Sequence, residues 1–176
     1  MGLAPTASTT ATLAMGDALA VALLIERGFK EEDFALFHPG GALGKKLLLR
    51  VEDLMHTGSD IPLVAMNTPL KEALFEITSK KLGITGVSDL NGNLVGVFTD
   101  GDLRRSIEKG LDVLNRQISD LMNRQPKRIL RTNLAAKALQ RMEEFSITSL
   151  FVFESEESSA PVGIIHLHDL LKSGVV

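Results

Sequence analysis

Gly96-Val97-Phe98-Thr99-Asp100-Gly101-Asp102-Leu103-Arg104-Arg105 is the stretch whose reading decides the fold. Residues 94–98 form an apolar run suited to a buried strand, which breaks at a hydroxyl residue and gives way to a helix beginning near Asp102. Thr99 and Asp102 therefore stand where strand hands over to helix. A helix start offers free backbone N–H groups and a partial positive charge, both favourable to phosphate. A carboxylate three residues after the threonine can accept hydrogen bonds from vicinal hydroxyls such as those of a ribose. Together these features point to a nucleotide. Each residue also has a plainer use, because Thr and Asp are ordinary helix caps, and the corner alone does not separate the two.

The arrangement returns further along the chain. Sixty-seven residues later stands Gly163-Ile164-Ile165-His166-Leu167-His168-Asp169-Leu170, again an apolar strand running into an acidic helix start. The same offset links Val51-Glu52-Asp53-Leu54-Met55 to Ile118-Ser119-Asp120-Leu121-Met122. Between these anchors the register slips: Ala73-Leu74 answers Ala138-Leu139, and Ile84-Thr85 answers Ile147-Thr148, offsets of 65 and then 63. A longer polar loop over residues 154–160 restores the phase. Two copies of one unit thus fill residues 51–116 and 117–176, each a short strand, a helix, two strands joined by a turn, and a closing helix. In the first copy Leu70, Ala73, Leu74 and Ile77 form a helical stripe, and Asn91-Gly92 marks a hairpin. Met55, Met122 and Met142 read as core fillers.

The paired units resemble the tandem cystathionine-β-synthase-type (CBS) domain pair. That family's signature is a glycine and apolar strand followed by Thr or Ser, two variable residues and Asp, met here by Gly96, Thr99 and Asp102. The second copy keeps Gly163 and Asp169 but carries His166 at the hydroxyl position, a departure that counts against ordinary adenine-nucleotide binding there. The resemblance implies two clefts between stacked sheets. Asp102 and Asp169 would hold ribose hydroxyls, Thr99 would reach ribose or the α-phosphate, and the backbone around Ile84, Thr85, Ile147 and Thr148 would face the base. No nucleophile stands beside a base at either corner, so binding without chemistry is expected.

Residues 1–50 lie outside the repeat. Thr6, Ser8, Thr9 and Thr10 make a hydroxyl-rich cap for a helix over residues 11–27 that stops at Gly28, with Ala14, Ala18 and Ala22 as a row of small residues. One long helix cannot bury its own apolar surface, so the segment reads as the end of a larger domain or as a surface for a second subunit. His38-Pro39-Gly40-Gly41 then fixes a tight loop around a histidine. Pro5-Thr6, Leu13-Ala14-Met15-Gly16-Asp17-Ala18, Asp33-Phe34-Ala35 and this loop are together similar to the C-terminal part of the sugar-isomerase (SIS) domain of D-arabinose-5-phosphate isomerases, a family that ends in a CBS pair. By that resemblance His38 belongs to an active site that interconverts ribulose 5-phosphate and arabinose 5-phosphate. The sheet core and phosphate loop of such a site are expected before Met1, so this chain alone is expected to be inactive.

The expected fold class is accordingly α/β (α+β): a tandem CBS pair, each copy a small sheet with helices, after a C-terminal SIS remnant at 1–50. The resemblance implies a regulatory ligand, either a nucleotide such as AMP or ATP or a CMP-activated sugar of the Kdo (lipopolysaccharide) pathway, with no required cofactor. It also implies a missing N-terminal SIS domain and a homodimer of CBS pairs that makes the full enzyme a tetramer. The competing expectation is a module for assembly alone.

Composition bounds the rest. Forty-four per cent apolar residues suffice for a core, and a net charge of -3 lacks the basic excess of a nucleic-acid binder. There is no cysteine, hence no disulfide framework or thiolate metal site. The four histidines, including His166 and His168 two apart, show no metal-protease spacing, and no metal is expected. The longest uninterrupted apolar run, residues 18–25, is far shorter than a membrane span, so a cytoplasmic protein with no membrane partner is expected.

Overall fold

The computed structural model describes residues 5–30, 33, 42–108 and 113–175. His38 lies outside the described residues. Before the sheets the described residues include helices α1 (Ala7–Glu26) and α2 (Ala42–Leu48). A sheet follows, β1 (Leu63–Ala65), β2 (Ile84–Ser88) and β3 (Leu94–Thr99), with α3 (Leu70–Lys80) between its first two strands and α4 (Asp100–Glu108) after its third. The second half repeats the order with β4 (Arg128–Leu130), α5 (Ala135–Phe145), β5 (Ser149–Phe153), β6 (Gly163–His166) and α6 (Leu167–Ser173). In both sheets the first strand pairs parallel to the second and the third runs antiparallel to it. The expected two-copy α/β architecture is what the chain adopts.

Local sequence explains each helix. Leu70, Ala73 and Ile77 form the buried stripe of α3, and Ala135, Ala138 and Met142 repeat the same three-then-four spacing on α5. Both helices stop at a residue in the left-handed conformation, Lys81 (φ 59°) and Ser146 (φ 51°). These stops correct the sequence register. They stand 65 positions apart, and the strands behind them keep that spacing, since Ile84 pairs with Thr99 as Ser149 pairs with His166. Ile84 therefore corresponds to Ser149, and the Ile-Thr dipeptide shared at an offset of 63 is coincidental. The helix stop sets the phase, because everything beyond it must restart on the same face.

The copies are not independent bodies. The opening segment of each crosses to the sheet of the other: His56 exchanges backbone hydrogen bonds with Ile164 (2.8 and 3.0 Å), and Asn123 does so with Val97 (2.8 and 2.9 Å). Val51 is consequently buried among Ile129, Met142, Leu150 and Ile165 of the second copy, while Ile118 and Met122 are buried with Leu70, Val87 and Phe98 of the first. Between the sheets a third apolar cluster joins Ile84, Phe151, Phe153 and Ile164. Two glycines make the crossing possible. A Cβ on Gly96 would lie 2.4 Å from Met122 Sδ and 3.0 Å from the Asn123 carbonyl, and one on Gly163 would lie 2.7 Å from Met55 Sδ and 2.9 Å from the His56 carbonyl.

Helix α1 stands apart. None of its residues is buried, and Leu13, Met15, Leu19 and Ile25 are more than half exposed. It begins at Ala7, four residues earlier than expected, with Thr9 Oγ1 donating to the Pro5 carbonyl at 2.6 Å. The expectation that no segment could span a membrane rested on uninterrupted apolar residues and does not hold for the helix as formed: by length and composition its 20 residues are apolar enough to cross one. The same composition suits a helix enclosed within a larger domain.

Gly163→Ala should lower the unfolding free energy by about 1–3 kcal/mol, because the His56 carbonyl is fixed by its own pairing and cannot retreat. Gly16→Ala, on α1 with nothing within 4 Å, should leave stability unchanged or slightly raised. Urea unfolding of both variants reads the difference.

Candidate functional site

The handover at the end of β3 closes as a reciprocal cap. The Asp102 N–H donates to Thr99 Oγ1 (3.2 Å), while the Thr99 N–H and hydroxyl both donate to Asp102 Oδ2 (3.0 and 2.7 Å). Arg105 donates to Asp102 Oδ1 at 2.6 Å. The capping use of the pair is thus present in full. It does not exhaust the carboxylate, since each oxygen accepts about two hydrogen bonds and Oδ1 has taken one among those described. Helix α4 starts at Asp100, slightly earlier than the sequence indicated, with the Asp100 N–H donating to the Gly83 carbonyl at 3.2 Å.

Around this corner lies a cavity of about 790 Å³ with walls from both copies. Leu82, Gly83, Ile84 and Val97 come from the first, and Ile147, Thr148, Ser149 and Phe151 from the second. The crossing segment adds Asn123, Gln125 and Lys127. Lys81, Arg105 and Lys127 supply cations against the carboxylates of Asp100 and Asp102, so the lining carries a small positive excess. Lys127 Nζ sits 4.2 Å above the Phe145 ring, which also lines the space. The volume is that of a small-molecule site, with Leu82, Ile84, Val97, Ile147 and Phe151 as apolar surface among a lining that is otherwise largely polar.

Of the residues singled out from sequence, Thr99, Asp102, Ile84, Ile147, Thr148 and His166 line this one cavity. Asp169 and Thr85 do not. Thr85 is fully buried within β2, paired to Phe98, with its hydroxyl on the Gly86 carbonyl at 3.2 Å. Asp169 is held by His56 Nε2 at 2.9 Å. His56 occupies in the second copy's corner the place that Asn123 has in the first, 67 residues apart. The second corner therefore has a histidine on its carboxylate and another, His166, where Thr99 would be. Among the described residues no group of three or more His, Asp or Glu converges as a metal site.

His166 caps α6 through its ring, Nδ1 accepting the His168 N–H at 3.0 Å. Burial pushes its pKa below the ordinary histidine value, with Asp169 opposing the shift and His168 and His56 adding to it. A neutral ring with a free Nδ1 lone pair is what the cap requires. Contributors missed from sequence include Ser149, Asn123, Gln125, Lys127 and Phe145. The signal for Ser149 was present, because the 65-residue offset puts it opposite Ile84.

A model of the CBS domain matches residues 51–109 and again 118–175. The chain belongs to the CBS domain family. Among curated proteins it is 54% identical over all 176 residues to the arabinose 5-phosphate isomerase KdsD of Yersinia pestis, covering 53% of that protein. The CBS-pair chain thus spans about half the length of the curated relatives it matches. Among solved structures, an uncharacterized conserved protein from Pyrococcus horikoshii is similar over 73% of this chain and 55% of that one, with 27% identity and a TM-score of 0.63. CBSX2, solved in complex with AMP, is similar over 72% of this chain and 96% of its own, with 23% identity and a TM-score of 0.60. That likeness bears on the fold.

The depressed pKa of His166 fixes a sign. Above the unfolded value near 6.5 the ring is neutral in both states; as pH falls below it the unfolded chain binds a proton that the folded chain refuses, and stability is lost. Unfolding free energies of the parent and of His166→Thr, measured from pH 7.5 to about 5, should diverge, with the parent losing more. A gap that stays constant with pH would contradict this.

Proposed function

We propose that this CBS pair is the regulatory half of a sugar-phosphate isomerase of the arabinose 5-phosphate type, and that it binds one nucleotide per chain at the Thr99–Asp102 corner. One observation carries the reading: the capped corner opens into a cavity of about 790 Å³ that both copies line and that holds Lys81, Arg105 and Lys127. The remaining acceptor site on Asp102 Oδ1 suits a ribose hydroxyl, and the start of α4 with Arg105 suits phosphate. The second corner, with Asp169 engaged by His56 and no hydroxyl at position 166, takes no ligand of its own. Support for a nucleotide also comes from the fold it shares with CBSX2, which was solved with AMP.

On this reading the catalytic half, a SIS domain, belongs to the part of the relatives that this chain does not span. Helix α1 packs within that half, which accounts for apolar residues on every side of it. The whole is a cytoplasmic enzyme assembled through CBS pairs, the ligand is AMP, ATP or a CMP-activated sugar, and His38 contributes to the distant active site. The chain alone performs no isomerisation.

Calorimetry of the 176-residue chain against AMP, ATP, CMP and a CMP-sugar tests the site. One of them should bind with a stoichiometry near one, and Arg105→Ala should weaken it about fivefold or more while leaving the fold intact. Absence of heat for all four up to about 1 mM excludes the ligand-sensing role. The assembly reading predicts in that case a dimer by light scattering that is indifferent to every nucleotide.

A further inference from the structure

Ser149 is a buried polar residue of the cavity that the Thr99–Asp102 corner does not account for. It opens β5, lines the cavity beside Thr148 and Phe151, and is 6% exposed. Its hydroxyl is buried and has no hydrogen-bond partner, the one such side-chain atom among the described residues. Leaving a buried hydroxyl unsatisfied is unfavourable by about 1–3 kcal/mol, and such groups in native proteins call for an explanation. At the equivalent place in the first copy stands Ile84, which also lines the cavity and makes no such demand. The two copies thus face one another across the same space with an apolar residue on one side and an unsatisfied hydroxyl on the other.

A serine at this place has no structural use. Its backbone pairs with His166 in the ladder whatever its side chain, and Ile84, Ile147 and Phe151, which line the same cavity, offer its hydroxyl no partner. Those same residues suit the two faces of a planar ring, and a ring held among them would bring its polar edge toward the Ser149 hydroxyl, the buried side-chain oxygen without a partner among the described residues. Arg105 and Asp102, by contrast, belong to the corner and speak to sugar and phosphate.

We propose that Ser149 Oγ reads the base of the ligand, exchanging a hydrogen bond with the polar edge of a nucleobase, so that the cavity selects base-bearing nucleotides over simple sugar phosphates. The inference rests on the nucleotide reading of the Thr99–Asp102 corner and adds what distinguishes a nucleotide there from ribose 5-phosphate. It also separates the roles of the two walls: the first copy holds the sugar, and the second recognises the base.

Calorimetry with AMP, CMP and ribose 5-phosphate, run on the parent chain, Ser149→Ala and Arg105→Ala, tests it. Ser149→Ala should weaken whichever nucleotide the parent binds by about 5- to 30-fold, the worth of one buried hydrogen bond, and leave ribose 5-phosphate unchanged. Arg105→Ala should weaken both classes together. Without ligand, Ser149→Ala should melt no lower than the parent, because it removes an unsatisfied group. Equal nucleotide affinity in parent and Ser149→Ala overturns the base-reading role while leaving the nucleotide site standing. A lower melting temperature of unliganded Ser149→Ala, with parallel loss of nucleotide and ribose 5-phosphate, overturns it in favour of a structural serine. A parent that binds no nucleotide removes both readings.

Discussion

The structure depends on a reciprocal exchange: each copy lends its opening segment to the sheet of the other. Two backbone hydrogen bonds fix each crossing, at His56 with Ile164 and at Asn123 with Val97, and a methionine lies over a bare glycine at each place. The exchange explains why neither half is a complete core by itself. Without Ile118 and Met122 the first copy would expose Leu70, Val87 and Phe98; without Val51 the second would expose Met142 and Leu150. Burying these side chains is worth roughly 1.5–3 kcal/mol each, so the pair gains from folding as one unit more than either copy could alone. The requirement on glycine is equally physical. The crossing backbone comes close enough that even a methyl group would meet a carbonyl oxygen that is itself held in place.

The exchange also builds the cavity and makes it unsymmetrical. Because residues 118–123 lie on the first sheet, the chain leaving them passes the Thr99–Asp102 corner and brings Gln125 and Lys127 to it. The corresponding chain in the first half brings His56 to Asp169 instead. A duplicated backbone has therefore acquired one cation-lined corner and one whose carboxylate is held by a histidine. The difference lies in a few side chains, Asn123 against His56 and Thr99 against His166, and leaves the architecture alone. A neutral imidazole at 166, favoured by burial, caps its helix without adding a further charge to the cavity.

Much of this was legible in the sequence, for reasons that can be named. The spacing of apolar residues on α3 and α5 and the Asn91-Gly92 turn each have a local cause, so each could be read locally. The duplication supplied the topology. What could not be read was whatever depends on two distant segments meeting. The crossing of the opening segments follows from Gly96 and Gly163 only once their neighbours are known, and the Asp169–His56 contact joins residues 113 positions apart. Register failed for a different reason. The Ile-Thr dipeptides at 84 and 147 looked equivalent because side chains were compared, whereas the left-handed stops at Lys81 and Ser146 govern the phase. That slip hid Ser149, while Thr85, whose backbone was expected to face the base, is fully buried in β2 and does not line the cavity.

A cavity between two copies has consequences that a pocket within one copy does not. Its walls are set by the relative position of the sheets, and that position is held by the apolar cluster of Ile84, Phe151, Phe153 and Ile164 and by Gly86, where a Cβ would lie 2.8 Å from the Phe151 ring. A ligand that touches both walls has a different affinity for each spacing of the sheets, and a ligand can shift a conformational equilibrium only by such a difference. On the proposed reading, sugar and phosphate contacts made by Thr99, Asp102 and Arg105 fall on the first copy and discriminate little between spacings. Discrimination has to come from a contact on the opposite wall, where β5 presents a buried and unsatisfied hydroxyl. Recognition of the base and sensitivity to sheet spacing would then reside in the same hydrogen bond, so that whatever the pair selects for is also what it can respond to.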